Sequence, residues 1–137
     1  MAVKIILCHG TWDILHLGHV IHLESAKGMG DCLVVSLTAD AFVTKPGRPI
    51  FGERERAKML QSLRIVDEVY ICRETTGAAA ILRYRPALFV KGIDYTSRGI
   101  IAEELRACRS VGAEVFYTDT RKYSSSELVR YFAKCAA

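Results

Sequence analysis

Five short apolar stretches recur along the chain with helix-like segments between them, and this alternation limits the fold more than any other feature. The stretches are Val3–Cys8, Cys32–Thr38, Glu68–Cys72, Leu88–Val90 and Glu114–Thr118. A strand with one wet face alternates apolar and polar residues. A near-continuous run of Val, Ile, Leu and Phe instead predicts a parallel strand covered on both faces.

The intervening segments carry helical spacing. Leu17, Val20 and Ile21 begin one stripe; Met59, Leu60 and Leu63 form a second; Ile101, Leu105 and Cys108 a third; Leu128, Val129 and Phe132 a fourth. Gly77–Tyr84 is alanine-rich and ends before Pro86, which predicts a further helix. Five strand–helix units predict a Rossmann-like, doubly wound α/β fold: a five-stranded parallel sheet with helices on both faces, as one domain over residues 1–137. The long connection Ala39–Gly52 contains Pro46, Gly47, Pro49 and Gly52 and reads either as a functional lid or as a plain surface loop.

Composition narrows the class. A length of 137 residues, half of them apolar, suits one globular domain with a real core. The 19 Lys and Arg outnumber the 15 Asp and Glu only slightly and lie dispersed, so no nucleic-acid partner is expected, whereas a phosphate-bearing small molecule suits the +4 charge. No apolar run is long enough to span a membrane, and the opening residues are too short for a secretory signal. The five cysteines form no CxxC pair; Cys8, Cys32 and Cys72 read as small core residues, and a cytoplasmic location is expected.

All four histidines, His9, His16, His19 and His22, fall where the first strand gives way to the first helix. In an open α/β sheet ligands bind at that carboxyl edge, and a helix start offers free N–H groups and a positive dipole end. Gly10 permits a tight turn, and Gly18 lets a ligand approach the backbone between His16 and His19. Two imidazoles three residues apart can reach one phosphate. Against this stand a purely structural role and a metal site; His22 turns away, and no third ligand stands at metal spacing, so no metal ligands are assigned. A GxxxxGK(S/T) loop is absent, and Gly28-Met29-Gly30 is not a full GxGxxG.

Gly10-Thr11-Trp12-Asp13 followed by His16-Leu17-Gly18-His19 resembles the (T/C)FD…HxGH signature of the cytidylyltransferase-like nucleotidyltransferases. Similarity continues in order through Gly30–Val35, Arg48-Pro49-Ile50 with Glu55-Arg56, Val66–Val69, Lys91-Gly92-Ile93-Asp94-Tyr95, and Tyr123-Ser124-Ser125-Ser126. The resemblance implies transfer of a nucleotidyl group from an NTP, bound with Mg2+, to a phosphorylated small-molecule acceptor, with release of pyrophosphate. It implies that His16 and His19 steady the α-phosphate, and that Asp13 orients the histidine loop. Trp12 stands where the family has Phe and is expected to pack under the site or against the base. The same resemblance puts Lys91, Gly92 and Asp94 beside the nucleoside, although Gly92 and Asp94 equally suit a turn and a cap. Small members commonly pair, so a homodimer is expected.

Position supplies the remaining candidates. Lys45 in the long loop can reach a phosphate as a mobile charge or stay solvated. Arg56 shares the stripe of Met59, Leu60 and Leu63, points inward, and needs an anion there; Arg48 and Arg54 are weaker candidates. Ser124 and Glu127 fit a capping box for the last helix, whose amides remain free for phosphate alongside Ser125 and Ser126. Among branches, the Lys91–Tyr95 stretch looks most like heptose-1-phosphate adenylyltransferases, which favours ATP and a sugar or polyol phosphate. The alternatives are a glycerol-3-phosphate cytidylyltransferase, an FMN adenylyltransferase, and a nucleotide-binding domain without turnover.

Overall fold

The computed structural model describes residues 2–92, 101–120 and 125–136. Its strands are β1 (Ile5–Gly10), β2 (Cys32–Thr38), β3 (Glu68–Cys72), β4 (Leu88–Gly92) and β5 (Glu114–Thr118), and its helices are α1 (Leu17–Lys27), α2 (Glu53–Gln61), α3 (Ala78–Tyr84), α4 (Ala102–Val111) and α5 (Ser125–Ala136). All strand pairs are parallel, in the order β3-β2-β1-β4-β5. Chain direction across the sheet reverses at β1, so the crevice between the carboxyl ends of β1 and β4 is the switch point.

Each face of the sheet carries its own core. Ile6, Cys8, Val35 and Leu37 pack with Leu23 and Ala26 of α1 and Ala57 and Leu60 of α2. Leu7, Val34 and Phe89 pack with Ala80 and Ile81 of α3 and Ala107 and Cys108 of α4. Two layers of helix on one sheet are what uninterrupted apolar strands require.

Several elements differ from the sequence expectation. β1 runs from Ile5 to Gly10 and not from Val3 to Cys8: Ile5 pairs with Cys32 and Gly10 with Leu37, while Val3 is exposed. His9 and Gly10 are therefore strand residues at the carboxyl edge. α1 is rotated from its expected stripe, burying Gly18, His22, Leu23 and Ala26 and exposing Leu17 and Ile21. In α2 the inward face is Arg56, Ala57 and Leu60, and Met59 is 56% exposed. In α4 it is Glu104, Ala107 and Cys108, with Ile101 exposed before the helix. Buried polar residues explain the shifts in α1 and α4, because a stripe count that admits only apolar residues cannot see an inward His22 or Glu104; in α2 Arg56 lies inward as expected and only Met59 turns out. Phe116 and Tyr117 of β5 and Phe132 of α5 are also exposed, so the edge strand is not covered on both faces.

Gly30 is a packing glycine. A Cβ there would lie 2.7 Å from Ile6 side-chain carbons and 2.8 Å from the Lys4 carbonyl oxygen, which only hydrogen tolerates.

Candidate active site

The loop leaving β1 turns through Trp12, whose φ of 55° is left-handed and unfavourable for an indole-bearing residue. The surroundings hold it there: the ring is buried, and its Nε1 donates to the Ser36 carbonyl at 2.9 Å. Trp12 thus lies under the histidines, edge-on to His19 at 5.3 Å and tilted against His22 at 5.9 Å. A Cβ at Gly10 would press on that indole at 3.1 Å.

His16 is the N-cap of α1 and extended in backbone, and the cap is reciprocal. Nδ1 of His16 accepts from the Gly18 amide at 3.1 Å, and Nδ1 of His19 accepts from the His16 amide at 3.3 Å. This is the Ser-x-x-Glu capping box built from two imidazoles. Because Nδ1 accepts in each ring, the neutral tautomer carries its proton on Nε2. The rings stack at 3.9 Å. Burial, then the neighbouring His16, His22 and Arg48, pushes His19 down to about 3, and burial lowers His16 too. Both rings are therefore neutral at pH 7, with Nδ1 spent on the helix and Nε2–H left as the donor.

The other two histidines are structural. Nδ1 of His9 pairs with Ser36 Oγ and Nδ1 of His22 with Thr118 Oγ1, and burial lowers each to about 4.

Asp13 does not touch the histidines; it holds the long loop. Its carboxylate accepts from the Ile50 amide at 2.8 Å, the Phe51 amide at 2.9 Å and Arg48 Nε at 2.5 Å. Burial raises its pKa, but those amides and the guanidinium outweigh burial and hold it below the usual carboxylate range. The loop it positions then delivers Arg48 beside His19.

Arg56 points inward as expected, and its anion belongs to the protein. It donates to the carbonyls of Thr11 at 2.8 Å, Thr38 at 2.7 Å and Phe51 at 2.9 Å, and to Asp40 Oδ1 at 2.6 Å, with 1% of the residue exposed. These bonds use four of its five N–H donors and tie the β1 loop, β2 and the long loop together, which favours a positioning role over the expected catalytic one.

Lys45 crosses the cleft and donates to Ser126 Oγ at the start of α5. Burial and then the charges of Arg48 and Arg130 lower its pKa, against Asp13. The sequence reading missed Arg130; its signal was the four-residue spacing from Ser126, which sets both on one helical face. Lys91 does not stand open to the cleft: its ammonium pairs at 2.5 Å with Glu104, a fully buried carboxylate that also accepts from the Gly77 amide at 2.8 Å. Among the described residues nothing lies within 4 Å of a Cβ built at Gly92. Asp94, Tyr123 and Ser124 lie outside the described residues, as does the expected Ser124–Glu127 cap; Ser125 opens α5. A mostly apolar cavity of about 520 Å³, lined by Ile14, Leu15, Phe51 and Met59 among others, adjoins Asp13 without including His16 or His19.

A 3-2-1-4-5 parallel sheet carries an imidazole-capped helix at the end of its central strand and a lysine–arginine rim beside it. The chain belongs to the cytidylyltransferase-like family, whose profile matches residues 7–131. It is 42% identical over 133 residues to the bifunctional protein HldE of Nitrobacter hamburgensis, covering 94% of this chain and 27% of that protein. It is 39% identical over 104 residues to the bifunctional protein HldE of Helicobacter acinonychis, covering 74% and 22% respectively. The chain thus spans about a quarter or less of the length of these relatives. Among solved structures, the lipopolysaccharide core biosynthesis protein of Thermoplasma volcanium superposes with a TM-score of 0.71 at 27% identity, over 90% of this chain and 100% of that one. Among the described residues no helix is long and apolar enough to cross a membrane.

Proposed function

We propose that the chain transfers AMP from ATP to a phosphorylated sugar or polyol and releases pyrophosphate. The observation that carries this reading is the reciprocal cap. It spends both Nδ1 atoms on the helix and leaves two neutral Nε2–H donors side by side at the switch point. An α-phosphate under in-line attack gathers charge on its equatorial oxygens, and fixed donors aimed there stabilise the transition state without reorganising. Losing one such donor typically costs about 10²–10³ in rate. No nucleophilic side chain is needed, because the acceptor phosphate attacks directly.

Lys45, Arg130, Ser126 and the amides opening α5 take the β- and γ-phosphates, and the family resemblance assigns Tyr123, Ser124 and Ser125 to the same phosphates. By the family resemblance Gly92 and Asp94 border the nucleoside, and among the described residues nothing fills the space beside Gly92. Gly10, Thr11 and Gly18 shape the backbone that admits the phosphates. Mg2+ travels with the nucleotide as part of the substrate; among the described residues no three His, Cys, Asp or Glu converge as a metal site. The HldE relatives and the likeness of Lys91–Tyr95 to heptose-1-phosphate adenylyltransferases favour ATP and a sugar phosphate. The working form is a cytoplasmic homodimer.

The experiment is Mg2+-dependent pyrophosphate release, run with ATP and with CTP against sugar 1-phosphates, glycerol 3-phosphate and FMN. Release that needs both ATP and a sugar or polyol phosphate supports the reading. Release with CTP alone moves the chain to the cytidylyl branch, and release with FMN to the flavin branch. Nucleotide binding without release from any pair favours a domain without turnover.

A further inference from the structure

The face of the sheet under α3 and α4 changes character at its carboxyl edge. Leu7 of β1 and Phe89 of β4 pair side by side within the apolar core. Two residues further along each strand stand His9 and Lys91, next to last in β1 and β4. Glu104, in the first turn of α4 and 0% exposed, is packed against them. Both oxygens of its carboxylate are engaged: Oε1 accepts from Lys91 Nζ at 2.5 Å and Oε2 from the Gly77 amide at 2.8 Å. Beside it, Thr76 Oγ1 donates to Glu103 Oε2 at 3.3 Å. A Cβ built at Gly77 would lie 2.8 Å from the His9 ring and 2.9 Å from Glu104 Oε2, so these three residues form one tight knot. The first turn of α4 thereby joins the end of β4 to the turn that opens α3, against the end of β1.

A buried ion pair is a weak source of stability, since apolar residues of the same volume often do as well. What this pair fixes is geometry. In an open α/β sheet the ligand lies beyond the carboxyl ends of the strands at the switch point, here β1 and β4. His9 and Lys91 stand at the foot of the two walls of that crevice. The Lys91 ammonium folds back along its own strand, with Nζ 5.9 Å from the centre of the Phe89 ring, and so braces the β4 wall from behind. We propose that Glu104, acting through Lys91 and Gly77, is a positioning residue for nucleotide binding that sets the β4 wall of the crevice against the β1 wall. This inference rests on the nucleotidyl-transfer reading, in which the end of β4 borders the nucleoside and the α5 side takes the β- and γ-phosphates. Releasing the brace then loosens the grip on the nucleoside and spares the grip on pyrophosphate.

The test titrates the full chain by calorimetry with Mg2+ and unreactive α,β-methylene-ATP, and separately with Mg2+ and inorganic pyrophosphate, with thermal unfolding of the same samples. Glu104→Gln keeps the shape and an acceptor for the Gly77 amide, and removes the charge that holds Lys91. Nucleotide affinity should fall about tenfold and pyrophosphate affinity stay within about twofold. Tm should fall by about 5 °C or more, because one partner of a buried pair is left alone. Combining Lys91→Met with Glu104→Gln removes both charges; Tm should return to within about 3 °C of wild type while nucleotide affinity stays low. The double variant serves also where Glu104→Gln alone folds poorly. A double variant whose nucleotide affinity returns together with its Tm assigns the pair to stability alone and overturns the proposal. So does wild-type nucleotide affinity in folded Glu104→Gln, or an equal loss of nucleotide and pyrophosphate. A wild-type protein that binds no nucleotide overturns the nucleotidyl-transfer reading and this inference with it.

Discussion

Replacing Arg56 by Met keeps the bulk of a residue that is 1% exposed and removes its charge and all of its hydrogen bonds. Four acceptors lose their partner: the carbonyls of Thr11, Thr38 and Phe51, and the Asp40 carboxylate. Breaking one side of a buried pair costs about 3–5 kcal/mol. The Asp40 side chain is 46% exposed and can be rehydrated, which places the cost near the lower end, about 3–4 kcal/mol. Unfolding entropy is about 2.1 cal/mol/K per residue, so for a chain this long 1 kcal/mol moves Tm by roughly 3–4 °C. The expected fall is therefore on the order of 10–14 °C. Asp40→Asn, which keeps an acceptor at a half-exposed position, should cost about 1 kcal/mol or less. The assay is thermal unfolding followed by far-UV circular dichroism, with calorimetric nucleotide binding at 15 °C alongside. A Tm within about 2 °C of wild type together with lost nucleotide binding would refute the structural assignment and return Arg56 to the ligand.

One buried histidine and two partly buried ones set the response to acid. His9, His19 and His22 have pKa values of about 4, 3 and 4, below the value of 6.5 they regain on unfolding. The unfolded chain therefore binds more protons as pH falls, so their contribution is present above pH 6.5 and drains away toward pH 4, by up to about 1.4 kcal/mol per pH unit for each group. Urea midpoints should drop between pH 7 and 5; a flat profile there contradicts the buried, neutral assignment. Gly77→Ala should destabilise by about 1–3 kcal/mol, because a Cβ would stand 2.8 Å from the His9 ring and 2.9 Å from Glu104. Gly92→Ala meets none of the described residues and should leave Tm unchanged while reducing turnover; equal Tm losses in the two variants would sink the packing argument.

Much of this was legible because strands write themselves as short runs rich in apolar residues, and β2, β3 and β5 have the bounds those runs set, although only β2 is buried along nearly its whole length. The helices were found and the faces of α1 and α4 misjudged, since His22 and Glu104 are buried on faces where polarity argues for solvent, whereas Arg56 of α2 lies inward as its stripe implied. The site divided the same way. His16, Gly18 and His19 follow from a motif with a local mechanism, the capped helix start. Most of what Asp13, Arg56 and Lys91 hold lies 13 to 45 residues away in sequence, and no local spacing reveals it. Arg48 and Arg130 look like ordinary surface cations until folding sets them beside Lys45.

The most direct test of the histidine pair separates its two tasks. Asn is among the best N-cap residues, so His16→Asn keeps the helix start and removes the Nε2–H donor. Thermal unfolding and the turnover number for pyrophosphate release from ATP are measured on the same preparation, with the acceptor that the panel identifies. The expected result is a Tm within about 3 °C of wild type and turnover reduced about 10²-fold or more. Wild-type turnover in a folded His16→Asn protein would show that the ring serves only as a cap, and would contradict the assignment of the two Nε2–H groups to the α-phosphate.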